Sequence, residues 1–402
     1  MKAVLEGMVV IDWSTGHVGP SASAMLADLG SDVIHVEEKG IGDMTRGLTH
    51  FLGQPQVIKG RNIQFEQFNT NKRGIAIDLK KPRGHEIMER LVKRADVFIT
   101  NFRAKAAKKL GLDYDTLKEV NPNLIYASSN ALGPEGPDND VGGYELISYA
   151  RSGVMMSSGE EGMPPIMPTV GMGDRIGSVY LAFSALAALF ARERHGIAQE
   201  AKTSQLGGLM NLESWSLTAT IFHRKDPPRP PRTETRNPLY NWYLCKDRTW
   251  IALAMLQSDR FWPVFCKAMG IPELEKDNRF ATSDKRAENC REIISILDKV
   301  FITKTFNEWE KIFRENDLQF TKINRLSDLR SDPQVIANRY IREWDHPHWG
   351  PIEFPGFPYS LSETPLTLRT PAPELGQHTE EILLECGYNW EEITRLAEDK
   401  VI

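Results

Sequence analysis

Residues 8–36 read MVVIDWSTGHVGPSASAMLADLGSDVIHV, and this stretch decides the fold class. The apolar run 8–11 predicts a strand, the glycines and the proline within 16–20 predict a loop, and the small side chains of 21–29 predict a helix. A second strand is predicted at 33–36. A strand, a helix and a second strand in this order form a βαβ unit, whose two strands lie parallel in one sheet.

The same alternation continues along the chain. Helices predicted at 84–95 and 114–120 alternate with strands predicted at 97–99 and 124–127. Repeated βαβ units favour an α/β fold in which helices cover both faces of a parallel sheet. The most apolar helix of the chain is predicted at 174–195, and we expect it to be central and buried.

Proline-rich segments indicate how the chain divides. Residues 225–232 read KDPPRPPR, which favours polyproline II and cannot continue a helix or a central strand. We therefore predict a large α/β domain over 1–222, a linker over 223–238 and a smaller α+β domain over 239–335. Residues 336–402 are predicted to form a return linker and two C-terminal helices that complete the large domain.

Composition excludes several classes of protein. The chain has 402 residues, 41% hydrophobic and 26% charged, which is typical of a globular protein. Its net charge of −5 removes the basic field that nucleic-acid binding needs. The four cysteines form no CxxC pair, so neither a zinc site nor a redox site is predicted. With Glu6 in place of an apolar leader and no uncharged run long enough to span a bilayer, we predict a cytoplasmic protein without a membrane partner.

Asp174 is the strongest candidate for a catalytic residue. It follows Gly171-Met172-Gly173 directly before the apolar helix, where an N-cap accounts for it as a structural residue. The flanking glycines leave its carboxylate open to approach, and first-turn N–H groups favour the ionised form that a nucleophile needs. The two interpretations are compatible. A dinucleotide site over Gly171 to Gly177 is not predicted, because residues 163–168 make a poor strand and Asp174 would repel a pyrophosphate.

A basic patch stands out in an otherwise acidic chain. Arg103 directly follows a predicted strand, and open α/β sheets bind ligands at the carboxyl ends of their strands. The patch could grip a phosphorylated ligand such as coenzyme A, although a solvated helix face also accounts for its lysines. Its members are Asn69, Lys72, Arg73, Lys80, Lys81, Asn101, Phe102, Arg103, Lys105, Lys108 and Lys109.

Aromatic side chains form a third group, and core packing accounts for most of them. His17 and Tyr144 are the exceptions, because each lies in a glycine-containing loop where a polar group can reach a cleft. The group consists of Trp13, His17, Tyr144, Tyr149, Trp215, Tyr240 and Trp242.

Several long motifs in this order resemble the family III CoA-transferases, the group that includes formyl-CoA:oxalate, carnitine and phenyllactate CoA-transferases and the α-methylacyl-CoA racemases. They read ADLGSDVIHVEEKGIGDMTRG, NTNKRGIAIDLKKPRG, ADVFITNFR, GGYELISYARSGVM and GDRIGSVYLAFSALAALFARERHGIAQEAKTS. The resemblance implies a Rossmann-like large domain built from both chain ends and a small domain between two linkers. It also implies two subunits that interlock as a homodimer.

For the site, the resemblance implies that Asp174 attacks an acyl-CoA, passes through a mixed anhydride and carries CoA as an aspartyl thioester. Acyl-CoA is then a substrate together with a carboxylic acid, and no permanently bound cofactor is implied. The residues implied for CoA are His17, Val18, Lys72, Asn101, Phe102, Arg103 and Lys105. The residues predicted to contact the acyl group or the acid are Tyr144, Glu145, Tyr149, Arg236 and Tyr240.

Two departures from the family pattern bear on the substrate. The formyl-CoA enzyme has a glutamine at the position of His17, and its glycine-rich loop is replaced here by residues 235–240, TRNPLY. The sequence of this segment is similar to that of the family branch that acts on phenyllactate, 2-hydroxyisocaproate or benzylsuccinate. We therefore expect the acceptor to be a bulky aromatic, 2-hydroxy or dicarboxylic acid. Arg236 is a candidate partner for a second carboxylate or a hydroxyl group, with a surface arginine as the alternative.

Two other functions stay open. An acyl-CoA racemase or isomerase of the same superfamily would need a histidine in the segment aligned with residues 143–145, which here reads GYE. A non-catalytic subunit of a heteromeric transferase would not need Asp174, which is present.

Overall fold

The computed structural model describes residues 2–402. Contacts divide the chain into two units. The first contains the chain up to Ser157, Met167–Asp226 and Tyr340–Ile402, and the second contains Ser158–Ile166 and Pro227–Arg339. Residues from both sides of the second unit therefore build the first.

The first unit is organised around a six-stranded sheet. Its strands are β1 (Val9–Trp13), β2 (Asp32–Glu38), β3 (Lys72–Ile77), β4 (Val97–Thr100), β5 (Ile125–Asn130) and β6 (Glu200–Ser204). The spatial order is β6-β5-β4-β1-β2-β3, and every neighbouring pair is parallel. This is the Rossmann strand order 3-2-1-4-5-6, and it confirms the predicted parallel sheet. Strands β3 and β6 were not predicted.

Among the described residues of the first unit up to Asp226, ten α-helices accompany these strands. They are α1 (Val18–Asp28), α2 (Ile63–Asn69), α3 (Pro82–Arg94), α4 (Ala104–Lys109), α5 (Tyr114–Val120), α6 (Glu145–Ser152), α7 (Val154–Ser157), α8 (Met172–His195), α9 (Gln205–Leu212) and α10 (Ser214–His223). Helices α1, α3, α5 and α8 confirm the four helices that the sequence predicts in this part of the chain.

Each strand has apolar side chains on both faces of the sheet. Val10 and Val97 pack in one cluster with side chains of α1 and α8. Ile11 and Phe98, the next residue of each strand, pack in another cluster with side chains of α3. A strand alternates in this way because successive side chains point to opposite faces. The sheet is therefore the middle of three layers.

Helix α8, predicted to be central and buried, is buried on one side only. Leu181 and Ala185 are fully buried against the sheet, whereas Val179, Phe183 and Phe190 are exposed on the opposite side. By length and apolar composition alone, this helix would also pass as a membrane span. Its buried face packs with α1 and the sheet, as that of a core helix does.

The second unit has its own core. Its strands β7 (Trp242–Leu244), β8 (Trp250–Leu253) and β9 (Phe320–Lys322) form an antiparallel sheet in that order. Its helices are α11 (Ser258–Met269), α12 (Ser283–Glu288), α13 (Cys290–Phe301), α14 (Phe306–Glu315) and α15 (Pro333–Ala337). Trp262, Phe265 and Trp309 are almost completely buried between these elements. This arrangement agrees with the predicted α+β composition.

The C-terminal segment returns to the first unit. It forms a hairpin of β10 (Ile341–His346) and β11 (Gly350–Pro355), which the proline content had concealed, and then the two predicted helices α16 (Thr379–Glu385) and α17 (Trp390–Glu398). Ile382 and Leu396 are fully buried in the cluster that covers the α3 face of the sheet. Residues from both ends of the chain therefore pack in the same hydrophobic core.

Candidate active site

The switch point of the Rossmann order lies between β1 and β4, where the loops after these two strands diverge. The side chain of Asn101, after β4, joins them: its Nδ2 donates to the carbonyl oxygen of Thr15 at 2.7 Å, and its Oδ1 accepts from the Thr15 N–H at 3.0 Å. Open α/β sheets bind ligands in the crevice at the carboxyl edge of such a point. A ligand site is therefore expected at this edge of the sheet.

Asp174 lies at this edge as the third residue of α8. The helix N-cap is Gly171, with φ +84°, so the prediction that Asp174 caps the helix is wrong. Glycine adopts this left-handed conformation without steric cost, and Asp174 lies within the first turn that follows it. The Asp174 side chain is 24% exposed. Its carboxylate is thus open to a substrate.

Each oxygen of the Asp174 carboxylate has a different neighbour. Oδ1 accepts a hydrogen bond from Nε2 of Gln205, the first residue of α9. Oδ2 lies 3.3 Å from Nδ1 of His17, whose ring stacks on Phe68 at 4.1 Å between centroids. The structure therefore brings together two separately predicted residues, His17 and Asp174. Gln205 was missed, because it follows a polar strand that no apolar run indicates.

Glu145, predicted as a substrate contact, caps α8 instead. Its carboxylate accepts from the N–H groups of Gly171, Gly173 and Asp174 at 2.6, 3.1 and 3.3 Å. Burial raises the pKa of Glu145; these N–H groups act against that rise, and the nearby Asp174 carboxylate adds to it. Glu145 thus supplies from α6 the cap that was assigned to Asp174.

Two glycines allow the close packing around Asp174. A Cβ at residue 173 would lie 3.3 Å from Oε2 of Glu145, and one at residue 177 would lie 3.1 Å from Cγ of Gln205. Tyr149, predicted to contact the substrate, is fully buried, and its hydroxyl donates to the carbonyl oxygen of Thr169 at 2.7 Å. Tyr149 therefore holds the segment that leads into α8 and does not reach the site surface.

Lys72, predicted to bind CoA phosphates, is also buried. Its ammonium donates to Oδ2 of Asp12, to the carbonyl oxygen of Pro20 and to Oδ1 of Asn69, each at 2.8 Å. Burial lowers the pKa of Lys72 even though the Asp12 charge opposes this shift. Burial also acts to raise the pKa of Asp12, but Lys72 and His35 together hold it well below its usual range. All three donors of the ammonium are used, so it has none left for a phosphate.

A chain of polar contacts connects this buried group with the loop that carries His17. His35 Nδ1 lies 2.9 Å from Oδ2 of Asp12, and its other ring nitrogen lies 3.9 Å from Oδ2 of Asp43. The same Asp43 oxygen accepts from the Gly16 N–H at 2.9 Å. Asp43 therefore fixes the residue before His17. Sequence reasoning did not single out Asp43.

The other residues implied for CoA differ in what they expose. Val18 and Phe102 pack into the protein, Phe102 against Trp13 with 4.4 Å between ring centroids, and both amide atoms of Asn101 are used by Thr15. Their side chains position the loops, and contact of these residues with CoA stays a prediction. The charges left at the surface include those of Arg103 and Lys105.

These two basic residues have different surroundings. Arg103 is exposed, and its guanidinium lies directly against Gly142, where a Cβ would collide with it. Lys105 is 83% exposed and pairs with Asp140 at 3.1 Å. Of the remaining predicted residues, Tyr144 is exposed just before α6, while Arg236 and Tyr240 are exposed in the second unit. For these three, contact with the acid stays a prediction.

Comparison with known proteins gives consistent matches over almost the whole chain. Residues 5–379 match the family model of CoA-transferase family III. The chain is 32% identical over 410 residues to the (R)-2-hydroxy-4-methylpentanoate CoA-transferase of Clostridioides difficile, covering 99% of each. It is 31% identical over 402 residues to the cinnamoyl-CoA:phenyllactate CoA-transferase of Clostridium sporogenes, covering 99% of this chain and 97% of that one. A crystal structure of a CAIB/BAIF family protein from Brucella suis matches with a TM-score of 0.85 at 28% identity, covering 96% of this chain and all of that one.

Proposed function

The chain belongs to CoA-transferase family III, and we propose that it moves CoA from an acyl-CoA to a bulky carboxylic acid through a covalent intermediate on Asp174. One observation carries this proposal. The Asp174 carboxylate is partly exposed at the carboxyl edge of the sheet, with Oδ1 held by Gln205 and Oδ2 beside His17. A partly exposed carboxylate whose two oxygens are held by different neighbours has the placement of a nucleophile.

The proposed steps are balanced without any further reactant. Oδ2 of Asp174 attacks the thioester carbon of the donor, the C–S bond breaks, and CoA thiolate leaves with the electron pair. The thiolate then attacks the aspartyl carbonyl carbon of the mixed anhydride, and the donor acid leaves as a carboxylate. The acceptor carboxylate reverses both steps on the resulting aspartyl-CoA. No proton and no electron is gained or lost overall.

We assign the CoA phosphates to the exposed charges beside this crevice. Arg103 follows β4 at the switch point, and its planar guanidinium suits bidentate contact with a phosphate. Lys105 adds a second positive charge at the start of α4, although Asp140 competes for it. The acyl end of the substrate would then point toward Asp174.

The proposed acceptor is a branched or aromatic acid with a 2-hydroxy group. The two relatives named above act on 2-hydroxy-4-methylpentanoate and on phenyllactate, which are acids of this kind. The sequence at 235–240, where the small-acid enzymes carry a glycine-rich loop, supports the same choice.

The working form proposed here is an interlocked homodimer. Helix α10 has no buried residue, and Trp215 and Phe222 are 90% and 79% exposed on it. Phe183 and Phe190 of α8 add further exposed apolar surface. Apolar surface of this extent indicates a face that a partner covers, and we assign it to a second copy of this chain. Sedimentation equilibrium at micromolar concentration should give twice the monomer mass of 45.5 kDa.

The deciding experiment for the transferase proposal has two readouts. Acetyl-CoA or succinyl-CoA is incubated with a panel of acids, and formation of each new acyl-CoA is followed by chromatography. In parallel, enzyme incubated with the donor alone is treated with hydroxylamine and digested, and modified peptides are identified by mass spectrometry. Exchange together with hydroxamate at Asp174 supports the proposal. Exchange with modification at another residue, or with none, contradicts the covalent role of Asp174.

A further inference from the structure

We propose that Gln205 is a further catalytic residue: its amide nitrogen stabilises the negative charge that develops on Oδ1 of Asp174 whenever the aspartyl carbonyl carbon is attacked. This inference rests on the proposed covalent role of Asp174. The contact exists already in the free protein, where Nε2 of Gln205 donates to that oxygen.

The orientation of the Gln205 amide follows from its other contacts. The Ser148 hydroxyl lies 2.9 Å from Oε1 of Gln205 and 3.0 Å from the carbonyl oxygen of Ala131. An ionised carboxylate oxygen only accepts hydrogen bonds, so the Gln205 atom beside Oδ1 of Asp174 is the amide nitrogen, and Oε1 is left facing the Ser148 hydroxyl. An amide whose oxygen accepts from Ser148 can present only its N–H to Asp174.

Burial keeps this amide in place. Ser148 is fully buried and Gln205 is 5% exposed, so water does not compete freely for either group. Gly177 of α8 allows Gln205 to approach the helix, because a Cβ there would lie 3.1 Å from Cγ of Gln205. The donor is thus fixed before any substrate arrives.

Three main-chain N–H groups at the start of α8 are already engaged. The start of a helix ordinarily offers free N–H groups to a developing negative charge. Here the N–H groups of Gly171, Gly173 and Asp174 donate to Glu145. His17 stands at the other carboxylate oxygen. Gln205 is therefore the side-chain donor directed at Oδ1.

Two steps of the proposed reaction use this donor. In one, CoA thiolate adds to the aspartyl carbon of the mixed anhydride, and the donor carboxylate leaves. In the other, the acceptor carboxylate adds to the aspartyl thioester, and CoA thiolate leaves. In both, the carbonyl electron pair moves onto Oδ1 and returns when the leaving group departs. A donor that is already aligned lowers both barriers because it does not have to reorganise.

The test compares Gln205→Leu with the wild type in steady-state and single-turnover experiments. Removing one such donor typically lowers kcat about 10²- to 10³-fold. We expect a loss of about 10²-fold in kcat and in the single-turnover rate of aspartyl-CoA formation, with the KM for acyl-CoA changed by less than about threefold. A folded Gln205→Leu enzyme with kcat within about threefold of wild type, or with a loss confined to KM, would overturn the proposal.

Gln205→Glu gives an independent readout. Ionised, the new carboxylate would repel Asp174; protonated, it would donate an O–H to Oδ1. Its activity relative to wild type should therefore rise as the pH falls, which a merely structural defect would not produce. A pH-independent loss would overturn the proposal, and this variant carries the test if Gln205→Leu does not fold.

Ser178→Ala is the matched control. The Ser178 hydroxyl is buried and donates to the main-chain oxygen of Asp174 at 2.8 Å, without touching its carboxylate. We expect this variant to stay within about threefold of wild-type kcat. Absence of aspartyl-CoA in the wild type would refute the proposed function itself, whereas a normal wild-type adduct with unaffected Gln205 variants would refute only the role of Gln205.

Discussion

Nδ1 of His17 lies 3.3 Å from Oδ2 of Asp174, although the two residues lie far apart in the sequence. His17 reaches this position because Asp43 holds the Gly16 N–H and Phe68 stacks on the imidazole ring. The loop after β1 therefore places His17 beside one oxygen of the Asp174 carboxylate, while α9 places Gln205 at the other oxygen. The two oxygens of one carboxylate are thereby made inequivalent.

His17 is expected to orient Asp174 through a donor that a glutamine can replace. His17→Ala should lower kcat by about tenfold, because it removes the polar group that lies 3.3 Å from Oδ2 of Asp174. His17→Gln should stay within about threefold of wild type, because a glutamine amide can present an N–H to Oδ2. Steady-state kinetics on the three enzymes checks this. Equal losses in both variants would mean that the imidazole acts in some other way.

Asp174 should be indispensable for transfer but not for folding. Asp174→Ala and Asp174→Asn should each lower transfer by several orders of magnitude, because neither side chain can form the anhydride. Since Glu145 and not Asp174 caps α8, both variants should unfold within a few degrees of the wild type. The Asp174→Asn variant is the closer match, because the oxygen of its amide can still accept from Gln205. Near-normal turnover by both variants would remove the covalent mechanism.

Much of this arrangement follows from local patterns in the sequence. The βαβ unit at residues 8–36 and the apolar helix around Asp174 have periodicities that identify them without any partner. Strands β3 and β6 read KRGIAI and EAKTS, which lack a continuous apolar run and are defined by pairing with β2 and β5. Strands of this kind can be recognised only from their pairing in the folded sheet.

The parts of the site that could not be predicted are those that depend on distant residues. The sequence at Lys72 reads as a surface charge, and its burial depends on Asp12 in β1. The role of Gln205 likewise depends on its contacts with Ser148 and Asp174, which lie far from it in the sequence. Tyr149 was predicted to contact the substrate, but its side chain is fully buried and hydrogen-bonded to the carbonyl oxygen of Thr169.

Arg103 is expected to act on the CoA part of every substrate. Arg103→Ala should raise the KM for each acyl-CoA by a similar factor of about tenfold and leave kcat nearly unchanged. Lys105→Ala is the comparison, and its effect should be smaller because Asp140 already neutralises that charge. The measurement is KM for three acyl-CoA donors with one acceptor. An effect confined to one acyl group would instead assign Arg103 to the acyl pocket.

Stability should depend on pH through Asp28, at the end of α1. Burial raises the pKa of Asp28 to about 7, against the hydrogen bond from Asn71 at 2.7 Å. The unfolded chain releases this proton near pH 4, as an ordinary aspartate does. The folded state holds it until about pH 7, so its contribution to stability is complete below pH 4 and is lost as the pH rises through 7.

Asp28→Asn removes this titration while keeping an oxygen that can accept from Asn71. At pH 8 the variant should be more stable than the wild type by roughly 4 kcal/mol, at about 1.36 kcal/mol for each unit of pKa shift. The gap should narrow at pH 5, because less of the wild-type penalty has developed there. Urea unfolding of both proteins at the two pH values gives the comparison. A gap that is the same at pH 5 and pH 8 would contradict the raised pKa.

The acceptor acid is tested by competition. With phenyllactate and oxalate present at equal concentration against one acyl-CoA, phenyllactate should take most of the CoA. Burial of an aromatic ring favours the larger acid by about 1.5–3 kcal/mol, or about ten- to a hundredfold in kcat/KM.

Tyr144 is the second test of the acceptor. Tyr149 is fully buried and leaves the predicted pocket, whereas Tyr144 is an exposed aromatic side chain next to Glu145. Tyr144→Ala should therefore lower kcat/KM for phenyllactate by about tenfold and change oxalate by less than about threefold. If oxalate prevails in the competition, the acceptor is a small diacid and the exposed Tyr144 serves another purpose, while the family assignment is unaffected.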